Sequence, residues 1–508
     1  MGLILWTLIV AFAILCVVWL KQMFNRPRLP LPPGPKGLPV IGNLLDLANE
    51  KVYVKARDWA REFGDDVISL DVLGNTTIVL NSSEAIADIF VTRGANYSDR
   101  PDMPMLIDLM GWDWTFALMR YGNRWKEARR VFHSNFDDMI LEHQHIQTNI
   151  SHELLRNLLR NPSKYLDHLK HYTASIIMKR VYGHDVVDGD DHYVRLNEEA
   201  SLSTSIAAAP GAFLVDLFPS LKHIPEWFPG ASFKKKAREW RKLSEAMINE
   251  PYEMVKEKVN KGNAEPCFVT SGLEEQHNTT GDDALSEELI KITAAVVYAA
   301  GQDSNVATLT TFFLAMTLYP EAQKRAQAEI DAVIGSERLP TFVDKDQLPY
   351  VHAVIQEVLR WIPVFPLAVP HRATNADQYK GYHIPAGATI LGNSWAILHN
   401  EEQYPDPEAF KPERYIDHPE VPDPIEIGAF GYGRRSCAGK DMALDTVWIA
   451  IASVLSVYDI SKAVDDHGNP ITPAVELAPG TISHPAPFEC VIKPRSQAAL
   501  ALIQQRYD

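Results

Sequence analysis

Apolar residues recur with a period close to that of an α-helix along most of the chain between residues 51 and 458. This spacing predicts a mainly helical body. The longest periodic stretch runs from about Ser286 to Leu318, and its centre, from Ile292 to Ala300, carries no charge. Ser286 followed by two glutamates is a favourable helix start. We therefore expect one long, buried helix near the middle of the chain.

Short segments that alternate between apolar and polar residues predict strands instead. Val67 to Leu80 alternates around Gly74, and Tyr382 to Leu391 alternates around the turn sequence Pro385-Ala386-Gly387. Each is expected to form a β-hairpin. Gly262 to Asp283 is polar and predicts an exposed loop. The pattern as a whole indicates a mainly α fold with a small β region.

The start of the chain is predicted to be a membrane anchor. Gly2 to Leu20 contains no charged residue, and a helix of this length spans about 28 Å, close to the hydrocarbon thickness of a bilayer. Basic residues follow directly, at Lys21, Arg26 and Arg28, which places the rest of the chain on the cytosolic side. A cleaved signal peptide, the alternative, would carry its basic residues before the apolar run.

These features divide the chain into an anchor over residues 1–21, a basic and proline-rich hinge over 22–36, and a large body over 37–508. The prolines between Pro30 and Pro35 fix φ and lack N–H donors, so no helix continues through the hinge. The aromatic segment from Phe213 to Gly230 has two interpretations. It is either a loop that enters a membrane interface or an ordinary packed loop.

Composition narrows the classes of function. Hydrophobic residues make up 46% of the chain and charged residues 22%, which is typical of a globular protein with a large core. The formal net charge of -16 argues against non-specific binding to nucleic acid. The 4 cysteines are widely spaced and include no CxxC pair, which argues against a disulfide framework and a structural zinc site.

One cysteine lies in a glycine-rich loop, Phe430-Gly431-Tyr432-Gly433-Arg434-Arg435-Ser436-Cys437-Ala438-Gly439, ahead of an apolar helical stretch. Glycines allow backbone N–H groups to approach a sulfur, and the positive end of the following helix favours a thiolate. Arg435 can pair with an anionic group of a cofactor. A buried structural cysteine, the alternative, requires none of this surrounding pattern. The loop therefore predicts a thiolate ligand for the metal of a macrocycle.

The sequence FGYGRRSCAG resembles the haem-binding loop of the cytochrome P450 family. The resemblance implies that Cys437 is the axial ligand of the iron of haem b. It also implies that Phe430 lies near the sulfur and that Arg435 binds a haem propionate. Gly433 and Gly439 belong to the same cofactor-binding motif.

Two more segments resemble motifs of this family. Glu357 and Arg360 resemble its ExxR pair, and Arg414 resembles the third member of that network, which holds the cysteine loop in place. Outside this context the pair would be read as a surface salt bridge. Trp125 and Arg129 resemble the WxxxR pair, whose end residues contact a propionate.

A further propionate ligand is expected in the sequence Val369-Pro370-His371-Arg372. The resemblance does not decide between His371 and Arg372, so both are candidates.

A local defect in the long helix predicts its functional segment, Ala300-Gly301-Gln302-Asp303-Ser304. Glycine and aspartate are both unfavourable inside an apolar helix, so their presence there indicates function. The segment resembles the family's oxygen-binding groove, in which Ala300 and Gly301 would form the groove while Asp303 and Ser304 relay protons. Serine stands where the family usually has threonine, and it lacks the methyl group that restricts χ1. Looser coupling of oxygen use to product formation is therefore expected.

The resemblance implies a haem-thiolate monooxygenase, with residues 37–508 as its catalytic domain and the mainly helical P450 fold preceded by one transmembrane helix. It would insert one oxygen atom from dioxygen into a lipophilic small molecule. The segments LPPGPKGLPVIGNLLDL and YSDRPDMP are most similar to fungal members of secondary metabolism, which implies a substrate such as a terpenoid or polyketide. The expected pocket draws on Met105 to Leu118, the face of the long helix around Ala295 and Tyr298, Ile362 to Val369, and a C-terminal turn near Phe488.

The partners that the resemblance implies are a membrane and an electron donor. NADPH would act indirectly, through a separate flavoprotein, NADPH–cytochrome P450 reductase, with cytochrome b5 as a second candidate partner. The docking surface is expected at a basic patch formed by Arg124, Lys126, Arg129, Arg130, Arg434 and Lys440. The expected location is the endoplasmic reticulum membrane, with a single span and the catalytic domain facing the cytosol.

Two other functions stay open at this point. One is a haem-thiolate isomerase that rearranges a peroxide and does not use dioxygen. The other is a non-catalytic, membrane-bound haem-binding protein.

Overall fold

The computed structural model describes residues 29–47, 51–136, 140–209, 211–278, 285–418 and 420–505. The longer helices of these residues are α1 (Val52–Phe63), α2 (Asn123–Phe136), α3 (Ile140–Arg160), α4 (Tyr165–Tyr182), α5 (His192–Ala208), α6 (Ser232–Asn260), α7 (Phe268–Asn278), α8 (Glu287–Leu318), α9 (Pro320–Val333), α10 (Pro349–Trp361), α11 (Lys440–Val457) and α12 (Gln497–Gln504). Shorter α-helical turns cover Leu44–Leu47, Ser83–Ile86, Gly94–Tyr97, Leu214–Leu217 and Ser394–Leu398. The strands are β1 (Val67–Val72), β2 (Asn75–Leu80), β3 (His371–Arg372), β4 (Asp377–Tyr379), β5 (Tyr382–Ile384), β6 (Thr389–Gly392), β7 (Tyr458–Lys462), β8 (Leu477–Ala478), β9 (His484–Pro485) and β10 (Cys490–Pro494).

The predicted long helix is confirmed as α8. The side chain of Ser286 accepts a hydrogen bond from the backbone N–H of Leu289, which caps the first turn. The first half of α8 packs in an apolar cluster with α2, α4 and α6, whereas its second half packs in another with α10 and α11. The helix therefore passes through the whole core and joins its two parts.

The largest sheet has the strand order β1-β2-β6-β3. Strands β1 and β2 form the predicted antiparallel hairpin over residues 67–80. Its turn residues, Leu73 and Gly74, both have positive φ, at 52° and 82°. Such turns match the right-handed twist of paired strands. Strand β6 runs parallel to β2 and antiparallel to β3.

Two predicted segments differ in the structure. Residues 382–391 do not form one hairpin, because β5 pairs with β4 while β6 pairs with β2 and β3. Ile390 is fully buried, because the pairing of β6 with β2 and β3 places its side chain in the core. The predicted exposed loop over 262–283 contains α7, whose Phe268 and Val269 are buried against α8. A short apolar face at the start of a polar segment is enough to hold this helix.

The described part of the predicted hinge lies along the sheet. The N–H of Ser69 donates to the carbonyl of Pro33 at 2.8 Å, and the N–H of His383 donates to that of Pro30 at 2.8 Å. The predicted anchor over residues 1–21 and the hinge residues up to 28 lie outside the described residues. Within the part of the chain that is described, no helix combines the length and apolar character needed to cross a bilayer.

Candidate active site

The centre of α8 has accessible surface within an otherwise buried helix. Between Ile292 and Thr317 the helix is buried except at five residues, which are Ala299, Ala300, Gly301, Asp303 and Ser304. Since the helix is enclosed by the core on both sides of this stretch, accessible surface here means that the core is open at this point. The four residues that the sequence predicts for the oxygen groove all lie in this opening.

Two side chains of α8 donate hydrogen bonds to backbone carbonyls of the groove. The hydroxyl of Ser304 donates to the carbonyl of Ala300 at 3.1 Å, and the amide of Asn305 donates to that of Gly301 at 2.7 Å. Gly301 also has a packing role, since a Cβ there would lie 2.9 Å from the Cδ1 atom of Ile177 on α4. Glycine at this position therefore allows α4 to approach α8 closely.

Asp303 has a partner that the sequence does not predict. Its Oδ1 atom lies 3.1 Å from the Nε2 atom of His484, which belongs to β9. Both side chains keep accessible surface, 39% for the aspartate and 27% for the histidine. The carboxylate of Asp303 is thus contacted by a residue of β9 rather than surrounded by solvent alone.

The cysteine loop lies directly before α11 and is closed by a hydrogen bond from the N–H of Cys437 to the carbonyl of Phe430, at 2.8 Å. Gly433 has φ 54°, and a Cβ there would lie 2.1 Å from the carbonyl oxygen of Phe90, so only glycine fits. Gly439 has φ -90° and leaves room for a Cβ, whose nearest neighbour would be the ring of Phe132 at 3.7 Å.

The side chain of Cys437 is accessible although the loop around it is packed. Burial among protein atoms raises the pKa of its thiol, while the N–H of Gly439 and the charge of Arg129 act in the opposite direction. Desolvation thus opposes the effect of the helix terminus on this thiol. A metal ion coordinated by Cys437 would favour the deprotonated sulfur.

Arg435 is buried beside this loop, with 8% of its surface exposed. Its guanidinium lies 4.5 Å from the centre of the ring of Trp125, and Arg129 lies 5.7 Å from the same ring. The N–H groups of Arg435 donate to the backbone carbonyls of Ser98, Phe116 and Met119. Arg435, Trp125 and Arg129, the propionate ligands predicted in the cysteine loop and in α2, therefore lie together.

Arg100 is a second buried guanidinium at this place, with 3% exposed, and it is not among the residues that the sequence predicts. Burial lowers the pKa of Arg100, and the charge of Arg435 lowers it further. Burial also lowers the pKa of Arg435, to about 10. Within the described residues, no carboxylate lies within 4.0 Å of either group. The charge of Asp99 raises the pKa of both groups from a greater distance, but no carboxylate of the described residues contacts them. Two buried cations in this situation predict an anionic ligand.

His371 and Arg372 occupy different surroundings. His371 is 4% exposed, its Nδ1 atom donates to the carbonyl of Tyr97 at 2.6 Å, and both buried guanidinium groups lower its pKa after burial itself. The Arg372 side chain reaches outwards, with Nη1 3.6 Å from Asp99 and Nη2 3.8 Å from Asp102. Of the two candidates, His371 is therefore the one that lies beside the buried cations.

The predicted ExxR residues form a buried network. Glu357 and Arg360 are both fully buried, and two nitrogens of Arg360 donate to the two carboxylate oxygens at 2.8 and 2.9 Å. Arg414 donates to the same carboxylate at 3.1 Å. The hydroxyl of Tyr415 and the N–H of Lys411, neither of which the sequence predicts, also donate to Glu357. Because every partner is satisfied, the network fixes one arrangement of this region.

Tyr298 and Phe488, which mark two parts of the expected substrate pocket, have their own side chains packed against α4. Tyr298 packs edge-to-face on Tyr182 of α4, and its hydroxyl donates to the carbonyl of Tyr193. The ring of Phe488 packs against that of Tyr165 at a tilt of 51°, and the carbonyl of Phe488 accepts a hydrogen bond from the Tyr165 hydroxyl. Both side chains are therefore part of the packing between α4 and its neighbours.

Comparison with known proteins identifies this arrangement. The family model described as cytochrome P450 matches residues 32–488. The chain belongs to the cytochrome P450 family. A cytochrome P450 monooxygenase of Armillaria gallica is 65% identical over 98% of each chain. The tryptamine 4-monooxygenase of Psilocybe cyanescens is 39% identical over 93% of this chain and 94% of its own.

A solved structure shares the fold. A zebra fish cytochrome P450 with progesterone matches 87% of this chain and 99% of its own, with a TM-score of 0.72 and 22% identity. The chain is accordingly a fungal-type P450 monooxygenase, and the family implies haem iron. The accessible thiol of Cys437 and the buried cations without an acidic partner fit that group and its two carboxylates.

Proposed function

We propose that this P450 monooxygenase hydroxylates a lipophilic small molecule with electrons from NADPH, delivered by a separate flavoprotein reductase. The balance is RH + O2 + NADPH + H⁺ → ROH + H2O + NADP⁺. The observation that carries the proposal is the opening in α8, which places an acid and an alcohol in an otherwise apolar, buried helix. Surrounding apolar residues limit the access of water to this place.

The residues of the site have separate proposed roles. Haem, when bound, supplies the metal centre at which dioxygen is activated. Cys437 would ligate the iron, and Arg100, Arg435 and His371 would hold the propionates together with Trp125 and Arg129. In the groove, Asp303 and Ser304 would pass protons inwards. The Ser304 hydroxyl must leave the carbonyl of Ala300 to donate elsewhere.

The substrate is proposed to be apolar or aromatic. The groove borders the apolar cluster that contains Met105, Leu106 and Trp112, against which Ala299 and Ala438 also pack. The residues that follow α10, from 365 to 370, keep partly accessible surface. Curated relatives are fungal monooxygenases, and one is named for tryptamine, so aromatic amines belong in a screen beside terpenoids and polyketides.

The basic patch is the proposed docking surface for the reductase. Lys126 of α2 and Arg434 of the cysteine loop both lie 5.6 Å from the ring of Tyr121, so the patch joins two separate segments. Lys126, Arg130 and Arg434 are exposed. Arg124 and Lys440 are paired with Glu288 and Glu426 and contribute less net charge.

The proposed location is the cytosolic face of the endoplasmic reticulum membrane. Besides the uncharged stretch over residues 2–20, exposed apolar side chains support it. Trp227 is 81% exposed, Leu214 59% and Val40 64%. A Cβ at Gly211 would lie 3.1 Å from Leu44, so the segment before α1 and the segment between α5 and α6 meet. Such apolar groups are typical of a surface that contacts lipid.

Turnover under ¹⁸O2 tests the proposed reaction. Full-length protein with a fungal P450 reductase and NADPH is screened against terpenoids, polyketides and tryptamine, and products are analysed by mass spectrometry. We expect a product that carries one ¹⁸O atom and needs both NADPH and reductase. Turnover of a hydroperoxide without NADPH would instead support rearrangement. Consumption of NADPH that no ligand changes, with no product, would support a non-catalytic role.

A further inference from the structure

The hairpin of β8 and β9 has backbone contacts of its own besides the contact with Asp303. Its strands pair at Leu477 with Pro485 and at Ala478 with His484. The N–H of Ser483, just before β9, donates to the carbonyl of Val364 at 2.9 Å. His484 therefore projects from a fixed backbone position towards α8.

Asp303 is in the opposite situation. Its neighbours on the helix, Gln302 and Asn305, are buried and hydrogen-bonded, the first to Asn197 of α5 and the second to Gly301. Asp303 itself has an accessible side chain, and the ring nitrogen Nε2 of His484 lies 3.1 Å from its carboxylate. A carboxylate with so much room would otherwise sample several rotamers.

We propose that His484 is a positioning residue that holds the carboxylate of Asp303 in the α8 groove and ties the C-terminal hairpin to it. This role of His484 rests on the proposed function in one respect, because it assumes that Asp303 relays protons. A pair this exposed adds little to stability. Its effect is to fix one carboxylate orientation and to link the hairpin, which also contacts Val364, to proton delivery.

Two linked measurements test this role on the haem-loaded, full-length protein. The first is hydrogen–deuterium exchange of the peptide that spans residues 477–488, without substrate or turnover. The second is the ratio of product formed to NADPH consumed. The variants are His484→Ala, His484→Gln, Asp303→Asn and the double change His484→Ala with Asp303→Asn. A matched control is His192→Ala, which removes another half-exposed histidine–carboxylate pair, with Glu250 at 2.6 Å.

We expect His484→Ala to speed exchange of the hairpin several-fold and to lower the product ratio several-fold at unchanged haem content. His484→Gln, which keeps an N–H donor, should restore a large part of both. The double variant should exchange no faster than either single variant, and His192→Ala should change neither quantity.

Unchanged exchange in His484→Ala, or exchange effects that add in the double variant, would overturn the proposal. A lowered product ratio that glutamine does not restore would also overturn it. The exchange measurement needs no substrate, so it still decides the pairing if no product is found. Failure of the proposed function is thereby distinguished from failure of this inference.

Discussion

At the scale of single residues, the buried cations beside the cysteine loop carry the prediction about cofactor binding. If Arg100 binds a propionate as proposed, its replacement with glutamine removes one charge-assisted hydrogen bond, worth about 1.5–3 kcal/mol. The rate of haem transfer to an acceptor protein should therefore rise about tenfold or more. Arg93→Gln is the control, because Arg93 pairs with Asp377 at the surface. Equal transfer rates in wild type and Arg100→Gln would contradict this assignment.

Asp216 gives a prediction about pH. Burial raises the pKa of its carboxyl from 3.8 to about 6, although the N–H of Met105 donates to it at 2.8 Å. The folded chain thus keeps this proton to a higher pH than the unfolded chain. The contribution of Asp216 to the free energy of unfolding should fall as pH rises from about 4 to 6, by at most about 3 kcal/mol.

The change Asp216→Asn isolates this contribution, because asparagine stays neutral throughout. Relative to wild type, the variant should become more stable as pH rises from 4 to 7, measured by denaturant unfolding at each pH. A stability difference that is constant with pH would show that Asp216 titrates normally.

At the scale of elements, two glycines of the cysteine loop should respond differently to alanine. Gly433 has positive φ and no space, since a Cβ would meet the Phe90 carbonyl at 2.1 Å. Gly433→Ala should therefore distort the loop and lower haem content strongly. Gly439→Ala should leave haem content and thermal stability nearly unchanged, because its nearest neighbour lies at 3.7 Å. Equal loss in both variants would mean that the motif, rather than steric space, sets the requirement.

The sequence pattern predicts those helices and strands that are determined by residues within the same segment. The hairpin over residues 67–80 and the helix α8 carry their own turn and capping residues, so sequence alone finds them. Strand β6 is different, because its partner is β2, more than 300 residues away in the chain. Helix α7 likewise depends on burial against α8, which a polar sequence does not reveal.

The same distinction applies to the site. Cys437 and the ExxR pair stand in recognisable motifs, whereas Arg100 lies in the acidic segment Asp99-Arg100-Pro101-Asp102 and resembles a surface residue until the fold buries it. His484 lies 181 positions after Asp303, and only the β8–β9 hairpin brings them together. Long-range pairings of this kind have no signal in one sequence.

At the scale of the whole molecule, the basic patch predicts how electrons arrive. Reversing charge at Lys126 or Arg434 to glutamate should raise the KM for reductase and weaken its dependence on salt. Lys261→Glu, at the end of α6, is the control with the same change in charge. The measurement is NADPH-dependent reduction at several reductase concentrations and ionic strengths. An equal effect of all three changes would point to net charge rather than to a docking surface.

The central claim is that Cys437 is the thiolate ligand of a haem held between α8 and the loop before α11. The most direct test is the absorption spectrum of the reduced protein with carbon monoxide, for wild type and for Cys437→Ala. We predict a strongly red-shifted Soret band in wild type that is absent in the variant. A wild-type band typical of histidine ligation, or the same red-shifted band in Cys437→Ala, would contradict the assignment.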